Sequence, residues 1–421
     1  MSQSATHPPR KAALAFIFVT VALDMLALGV IIPVLPKLVG GFLGKDTEQT
    51  ASMLGIFGTV WALMQFLVSP LVGSLSDRFG RRPIILLSNF GLGFDYILMA
   101  LAPSLGWLFA GRVISGITSA SIPTAFAYIA DSTPPAKRAG AYGMLGAAFG
   151  LGFILGPALG GLLGRVGPHL PFWVAGGLSL ANAMYGLFVL PESLPRELRA
   201  GFSWTKANPV GSLNLLRSHP QLLGLAMVNF FCSLAHVVFP SVFVLYATFR
   251  YNWDEGDVGL TLAAVGVCAA IVQAGLAQPL VARFGERRVL FASLLFGAAG
   301  FAVYGLAPNG RLFFLGVPVM ALWGLANPAV LGLMTRRVDP TEQGRLQGAN
   351  GSLEGIAGMI GPVLFTQIFR LFIDKSHHWS LPGAPFLLSA LLLLTAALIG
   401  WRVARPDPIL PPATVRSPAE A

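Results

Sequence analysis

Charged residues are scarce in this chain. Asp, Glu, Lys and Arg together make up 11% of its 421 residues, whereas soluble proteins have about 25%. Hydrophobic residues account for 55%, which is more apolar surface than a water-soluble core can bury. The low charge therefore excludes an ordinary soluble globular domain and predicts a protein embedded in a membrane.

Cysteine and histidine are also rare, with two and six residues respectively. Cys232 and Cys268 both fall inside apolar runs, so we expect neither a disulfide framework nor a cysteine metal cluster. The sequence has no Gly-x-x-x-x-Gly-Lys-Ser/Thr loop for ATP. No nucleophile-base arrangement stands out either. The sequence thus predicts a transporter rather than an enzyme, with no metal and no cofactor.

The formal net charge of +10 raises the question of a nucleic-acid partner. The distribution of the basic residues argues against one, because they gather in alternate connections between apolar runs. Two such clusters are Arg78, Arg81 and Arg82, and Arg336 with Arg337. Basic residues favour the cytoplasmic face of a membrane. We therefore expect a plasma-membrane protein, in the bacterial inner membrane, with both termini cytoplasmic.

Long apolar runs are abundant. A helix needs about 20 apolar residues to cross the hydrocarbon layer of a bilayer, and twelve runs of that kind predict an all-α membrane fold. The predicted spans are 12–35, 51–75, 83–102, 104–131, 139–164, 170–190, 221–247, 257–281, 288–307, 311–335, 346–372 and 384–402. The predicted divisions are an N-terminal six-helix bundle (1–190), a cytoplasmic linker (191–220), a C-terminal six-helix bundle (221–405) and a cytoplasmic tail (406–421).

The two six-helix bundles look like duplicates of one another. Gly80 and Gly285, and likewise Pro157 and Pro362, lie 205 residues apart. The same offset relates the triplet Arg-Phe-Gly at 78–80 to that at 283–285. Parallel repeats of this kind, with a substrate site between them near the middle of the bilayer, are a known transporter design. The repeat predicts two halves that rock against each other.

Three motifs carry a resemblance to a known family. The stretch Gly73-Ser-Leu-Ser-Asp-Arg-Phe-Gly-Arg-Arg-Pro83 looks like the signature loop of the major facilitator superfamily. Gly152-Phe-Ile-Leu-Gly-Pro-Ala-Leu-Gly-Gly161 in span 5 resembles the antiporter motif of its drug:proton exporters, and Arg112 in span 4 fits the family's intramembrane arginine. Together with Asp24 and Asp95, the pattern resembles tetracycline/proton antiporters over nearly the whole chain.

The resemblance implies two groups of functional residues. The loop between spans 2 and 3 would act as a gate on the cytoplasmic side, where Asp77 can pair with neighbouring arginines. The alternative is a charged loop that serves only to orient the protein in the membrane, and the Gly and Pro residues of the loop argue against it. This predicted gate comprises Gly73, Asp77, Arg78, Gly80, Arg81, Arg82 and Asp131. The antiporter motif comprises Gly152, Gly156, Pro157, Gly160 and Gly161, for which helix packing is the alternative role.

Ionisable residues inside apolar spans need a reason, because a charge at the centre of a bilayer costs about 2.5–3.5 kcal/mol. We predict that Asp24, Asp95, Arg112 and Glu354 take part in proton coupling. A static ion pair between Arg112 and Asp95 or Asp24 is the alternative. The predicted substrate cavity is lined by polar residues of several spans, which packing between helices could also explain: Gln65, Asn89, Asn229, His236, Gln273 and Asn327. Asn229 stands at the repeat position of Asp24.

The C-terminal half departs from the tetracycline antiporter pattern. Ala269 stands between Gly266 and Gln273 where those proteins typically carry a histidine, and 292–301 lacks their usual aspartate. Glu354 stands where they usually have a neutral residue. We expect proton-coupled efflux of a drug-like amphipathic compound, tetracycline or similar, by a monomer in contact with membrane lipid. The alternatives are a proton-linked or facilitative metabolite transporter and a non-transporting membrane sensor or scaffold.

Overall fold

A computed structural model describes residues 10–119, 121–134, 138–199, 201, 213, 215, 216, 220–338, 342–374 and 380–404. These residues form helices joined by turns and contain no β-strand. The predicted tail at 406–421 and most of the predicted linker at 191–220 lie outside the described residues. The ends of the linker are described as far as Arg199 and from Pro220 onward.

Twelve helices in the described part of the chain are long and apolar enough to cross a membrane, which confirms the predicted number. Spans 1 to 6 are Ile17–Phe42, Thr47–Phe79, Arg81–Ala100, Leu105–Ser132, Ala141–Val166 and Leu170–Val189. Spans 7 to 12 are Leu222–Tyr251, Glu255–Phe284, Glu286–Leu306, Gly310–Thr335, Arg345–Ile373 and Ala384–Val403. Within spans 1–6 and within spans 7–12, short connections leave each helix antiparallel to the next.

Spans 1, 4, 7 and 10 are each interrupted near their middle. Their segments are Arg10–Ile31 and Leu35–Phe42, Leu105–Thr118 and Ser121–Ser132, Pro220–His236 and Val238–Tyr251, and Gly310–Ala321, a 3₁₀ turn at Leu322–Leu325, and Ala326–Thr335. Pro123, Pro240 and Pro328 each stand third in the segment that follows the break. Proline lacks an N–H and is accommodated best in the first turn of a helix, whereas further along it bends or breaks the helix. The prolines therefore fix where three of these spans break.

The duplication is visible in backbone geometry. Gly80 and Gly285 precede spans 3 and 9, and both adopt positive φ, at 105° and 77°. Glycine reaches this region without steric cost because it has no Cβ. Pro157 and Pro362 both lie inside long helices, in spans 5 and 11. Spans 1–6 form one half and spans 7–12 the other, here called the N half and the C half.

The two halves meet through two pairs of helices, spans 2 with 11 and spans 5 with 8. Span 2 contacts span 11 through the Thr59 hydroxyl, which donates to the carbonyl of Met359 at 2.8 Å. A Cβ built on Gly58 would lie 2.8 Å from Pro362. In the other pair, a Cβ on Gly259 would strike the carbonyl of Pro157. These contacts lie toward one end of the molecule, here called the closed end.

At the opposite end, which carries the loop from Gly73 to Pro83, the same helices separate. The face of span 5 that packs on span 8 continues at helical spacing toward this end. Along that continuation, a Cβ on Gly143, Gly146 or Gly150 would meet no neighbouring atom within 4 Å. Gly351 in span 11 is equally unobstructed. The structure therefore holds a cavity between the halves that is sealed at the closed end and accessible from the other, the open end.

Candidate functional site

A buried polar cluster surrounds Asp24 in the middle of the N half. Asn182 of span 6 donates a hydrogen bond to Asp24 Oδ1 at 3.0 Å. In the amide orientation that satisfies both of its atoms, Asn89 of span 3 donates to both carboxylate oxygens, at 3.3 and 3.1 Å. Asp24 is 7% exposed and Asn89 is 1% exposed. Two amides thus solvate this carboxyl group in place of a counter-charge, so Asp24 is not in the ion pair considered from sequence.

Asp95 of span 3 and Arg112 of span 4 lie on packed neighbouring helices. Asp95 is 1% exposed, and a Cβ on Gly111 would lie 3.1 Å from its Oδ1. No ion pair within 4.0 Å joins Asp95 to Arg112 among the described residues. The guanidinium of Arg112 instead lies over the ring of Trp61, 5.5 Å from its centroid. The two charged groups are close enough to influence one another, yet the static pair envisaged from sequence is absent from this conformation.

Three residues predicted for the site lie on the same helix faces as the contacts that join the halves. Gln65 lies seven positions after Gly58 in span 2, and Gln273 lies seven after Gly266 in span 8. Glu354 lies four positions before Gly358 in span 11. Residues spaced by four or seven share one helix face. Gln273 is exposed on this face, and Gln65 is half-buried next to Phe66, which still meets Gly355 of span 11. We infer that the three side chains border the cavity just beyond these contacts. Glu354 is exposed there and has no ion-pair partner among the described residues.

Aromatic and polar groups of the C half converge where two helices are irregular. Span 8 contains a π-helical turn, Val272–Leu276, which packs on the 3₁₀ turn of span 10. Gln273 of the π-helical turn packs against Gly324 of the 3₁₀ turn, where a Cβ would lie 3.6 Å from the Gln273 Nε2. The rings of His236 and Trp323 are 5.9 Å apart, and Asn327 is exposed one turn further along span 10. Such helix irregularities are frequent at functional sites.

Asn229 is placed differently from the prediction. It is 4% exposed and donates to Asn350 of span 11 at 3.4 Å, inside the C half. Asn89 is likewise enclosed in the N half by the Asp24 cluster. Both residues therefore lie within the bundles and not on the surfaces that face each other across the cavity. Their spans were assigned correctly, but the side of each helix that the residue occupies depends on tertiary packing.

The charged loop at the open end is held together within the N half. Arg81 contacts Asp77 one turn away, and its Nε donates to Asp131 of span 4 at 2.9 Å. Its backbone N–H donates to Glu192, just after span 6, at 2.9 Å. A Cβ on Gly80 would strike that Glu192 carboxylate. Gly73 faces open space, Arg78 is exposed, and Arg82 donates to the carbonyl of Leu187.

The C half repeats this ion pair with the charges exchanged. Residues 205 positions after Arg81 and Asp131 are Glu286 and Arg336, and these two side chains contact each other. Both halves thus tie the start of their third span to the end of their fourth span by one acid and one base. The acid and the base can exchange positions between the halves because the attraction between the two charges is the same either way. This correspondence follows the repeat exactly and could have been found from the sequence.

Ion pairs cross between the halves at the closed end. Arg165 of span 5 donates to both carboxylate oxygens of Asp254, at 3.0 and 2.9 Å. Lys37 of span 1 lies 2.7 Å from Glu255 at the start of span 8. The hydrogen-bonded Arg165 guanidinium lowers the pKa of Asp254 below its usual range. The pair is therefore intact at neutral pH, and its contribution to closure is lost only as acidification protonates Asp254.

The span 5 motif has two packing surfaces. Gly152, Gly156 and Gly160 contact span 1, and a Cβ on Gly156 would lie 2.7 Å from the Cα of Gly29. Gly161 and Pro157 face span 8 of the other half. Small residues permit this close approach of helix backbones. One side of the motif thus fixes span 5 within the N half, while the other forms part of the contact that seals the closed end.

Several residues of these sites were not selected from the sequence. The ion pairs of the closed end join residues far apart in the chain, and the only hint was that opposite charges stand at the ends of spans 5 and 8. Trp323 and Trp61 carry no motif. Their importance follows from what they touch.

Two pseudo-equivalent six-helix halves, buried carboxyl groups and a cavity sealed at one end define a helical membrane transporter. The sequence profile described as Major Facilitator Superfamily matches residues 17–362 and 225–420. This chain belongs to that superfamily, and the expected fold and transporter class are confirmed.

Individual members of the superfamily resemble this chain over most of its length. The chain is 37% identical over 382 residues to the "Tetracycline resistance protein, class C" of Escherichia coli, covering 91% of this chain and 94% of that protein. It is 34% identical to the class B protein of Escherichia coli, covering 89% and 94%. It is also 30% identical to the human "Hippocampus abundant transcript 1 protein", covering 84% and 77%.

Solved structures share the fold at low identity. The human organic anion transporter MFSD10 (TETRAN) superimposes with a TM-score of 0.69 at 23% identity, covering 94% of this chain and 100% of that one. The nucleoside transporter NupG gives a TM-score of 0.75 at 13% identity, covering 94% and 100%. At these identities the match concerns the architecture alone.

Proposed function

We propose that this protein exports an amphipathic drug-like compound, with tetracycline as the first candidate, in exchange for protons. The observation that carries the proposal is the separation of two kinds of site. Uncompensated carboxyl groups, Asp24 and Asp95, are buried in the N half. Polar and aromatic side chains of the C half face a cavity that is open at one end. The similarity to tetracycline resistance proteins supports tetracycline as the compound to test.

The direction of transport rests on the basic residues. The open end carries Arg78, Arg81 and Arg82 of the N half and Arg336 and Arg337 of the C half, and such clusters favour the cytoplasm. On this assignment both termini are cytoplasmic and the cavity is accessible from the cytoplasm, as an exporter needs for loading. The membrane would be the bacterial inner membrane, and a single chain contains both halves of the machine, so a monomer suffices.

Movement would alternate between this conformation and one in which the closed end opens. The Arg81 cluster makes its contacts within the N half here, so it is available to meet the C half when the open end closes. Protonation of Asp24 or Asp95 removes a buried charge, and Arg112 can approach a carboxylate that has released its proton. Coupling arises when only the protonated and the substrate-loaded forms change conformation readily.

Uptake of a compound panel by inverted membrane vesicles tests the proposal. With the vesicle lumen acidified by about two pH units, exchange of one proton per neutral molecule permits about 100-fold accumulation of substrate. Tetracycline, a cationic dye and a sugar would be compared, with vesicles lacking the protein as control. Accumulation of tetracycline that collapses on addition of a protonophore supports the proposal. Accumulation that is the same with and without the pH gradient contradicts proton exchange. Accumulation of the sugar alone favours a metabolite transporter.

Glu354→Gln separates two roles that its cavity-facing position allows, namely proton coupling and binding of a cationic group. If Glu354 binds a cationic group, we expect KM for a cationic dye to rise by about tenfold, since a lost charge-assisted hydrogen bond costs about 1.5 kcal/mol. Uptake of a neutral compound and its pH dependence would then stay unchanged. If Glu354 couples protons, gradient-driven uptake of both compounds fails. Unchanged transport of both compounds at every pH removes Glu354 from the site.

A further inference from the structure

A second cavity in the described part of the protein lies outside the transport pathway. It has a volume of about 560 Å³ and is bounded by the first turns of spans 8 and 10 at the closed end of the C half. A water molecule occupies about 30 Å³, so the cavity can hold a ligand of many atoms. Asp257 and Leu260 line it from span 8, whereas Gly259 and Gly266 of the same span face the N half.

The walls of this cavity combine opposite charges with aromatic rings. Asp257 and Arg311 are both exposed and line the cavity from different helices, spans 8 and 10. Trp253 and Phe314 line the same cavity, with ring centroids 5.7 Å apart. Arg311 forms no ion pair with the described residues. An uncompensated guanidinium and a carboxylate facing one space suit a ligand that carries a negative and a positive group of its own.

The position of the cavity identifies the kind of ligand. It lies at the ends of two spans, where the hydrocarbon layer meets the headgroups, and tryptophan is enriched at that level. The rim is apolar, since the lining side chains Leu260 and Phe314 are 66% and 39% exposed. A water-soluble ligand gains nothing from such a rim, whereas an acyl chain does.

We propose that this cavity binds the headgroup of a zwitterionic phospholipid with a primary amine, of the phosphatidylethanolamine type. Arg311 holds the phosphate and Asp257 accepts hydrogen bonds from the ammonium group, while the acyl chains lie along Leu260 and Phe314. A lipid with a purely anionic headgroup would satisfy Arg311 but would place negative charge against Asp257. A quaternary ammonium headgroup has no N–H to donate to that carboxylate.

The site is a feature of the C half alone and adjoins the closed-end contacts. The repeat position of Arg311 is Gly106, so the N half lacks the guanidinium that would hold a phosphate. Asp257 also lies 3.8 Å from Arg165, the residue that pairs with Asp254 across the halves. An ammonium group on Asp257 weakens its attraction for Arg165. Bound lipid would therefore favour opening of the closed end.

Lipid binding to the purified protein tests the proposal and does not depend on the transported substrate. Native mass spectrometry would count the phosphatidylethanolamine, phosphatidylcholine and phosphatidylglycerol molecules that remain bound after delipidation and controlled addition. We expect one retained phosphatidylethanolamine, bound about tenfold more tightly than the other two lipids, a difference that corresponds to one additional charge-assisted contact. Arg311→Gln should lose it, and Asp257→Asn should abolish the preference over phosphatidylglycerol.

Matched controls keep the result interpretable. Arg250→Gln and Glu48→Gln alter charges at the same end, one exposed and one half-buried, both outside the cavity, and should bind as the unchanged protein does. Asp257→Asn keeps an oxygen that can accept the backbone N–H of Asp254, and the thermal transition of each variant checks folding. Equal retention of all three lipids, or unaltered binding by both cavity variants, overturns the proposal. Displacement of the lipid by free phosphoethanolamine at low concentration would identify a soluble ligand and would also overturn it.

Discussion

Replacing Asp24 by Asn is expected to abolish transport driven by the pH gradient while leaving the protein folded. Asn has the same shape, and its amide can hydrogen-bond with Asn182 and Asn89, which already surround this position. It cannot bind and release a proton. We expect the initial rate of gradient-driven uptake to fall by about 100-fold, the order found when a proton-transferring side chain is removed.

Exchange of labelled for unlabelled substrate, without a gradient, distinguishes coupling from binding for this variant. If Asp24 carries the proton, Asp24→Asn should retain exchange, because exchange requires substrate binding and conformational change but no net proton movement. Glu48→Gln, which alters a half-buried carboxylate in the first turn of span 2 at the closed end, serves as the control. Loss of both uptake and exchange in a folded protein would assign Asp24 to substrate binding or structure, and intact gradient-driven uptake would remove it from the mechanism.

Gly259→Val is expected to prevent sealing of the closed end. Any side chain at this position must enter the contact with span 5, where a Cβ strikes the Pro157 carbonyl and lies 3.1 Å from the Cα of Gly161. Both obstacles are backbone atoms, which cannot rotate away. Because the contact joins the two halves and not the helices within one, the halves should remain folded. Transport should be lost, since a complete cycle requires that this end close.

Chemical labelling measures the position of this equilibrium. A cysteine at Ser52, whose hydroxyl accepts a hydrogen bond from Gln367 at the contact between spans 2 and 11, would be introduced after replacing Cys232 and Cys268. We expect an impermeant maleimide added at the closed end to label it about tenfold faster in Gly259→Val, a shift of about 1.4 kcal/mol. Gly143→Ala, at a site with nothing within 4 Å, should leave the rate unchanged. Equal labelling of both variants would contradict the role of Gly259 in closure.

Packing within a half should respond differently. A Cβ on Gly29 would lie 2.9 Å from the Cα of Gly156, and this contact joins spans 1 and 5 of the same half. Substitution there is expected to lower thermal stability, whereas substitution at Gly259 changes accessibility. The resemblance groups Gly152, Gly156, Gly160 and Gly161 of span 5 into one motif. Their separate functions depend on which neighbour each glycine touches.

The sequence by itself determined the number of spans, their approximate limits, the duplication and the family. Each of these follows from local composition or from a constant offset along the chain. A run of about 20 apolar residues has one stable solution in a bilayer, and repeated glycines and prolines mark repeated geometry whatever they touch. The motif around Gly80 likewise predicted its own turn, because a positive φ is a local requirement.

Only the tertiary structure decided which side chains meet. Asp24 and Asn229 occupy equivalent repeat positions, yet each is enclosed by amides of its own half, and neither lines the space between the halves. Gln65, Gln273 and Glu354 face that space because the helices that carry them diverge just beyond their closest contacts. Arg165 reaches Asp254 across 89 residues of sequence. Such contacts depend on the angle between two bundles, a relation between distant parts of the chain that no local pattern encodes.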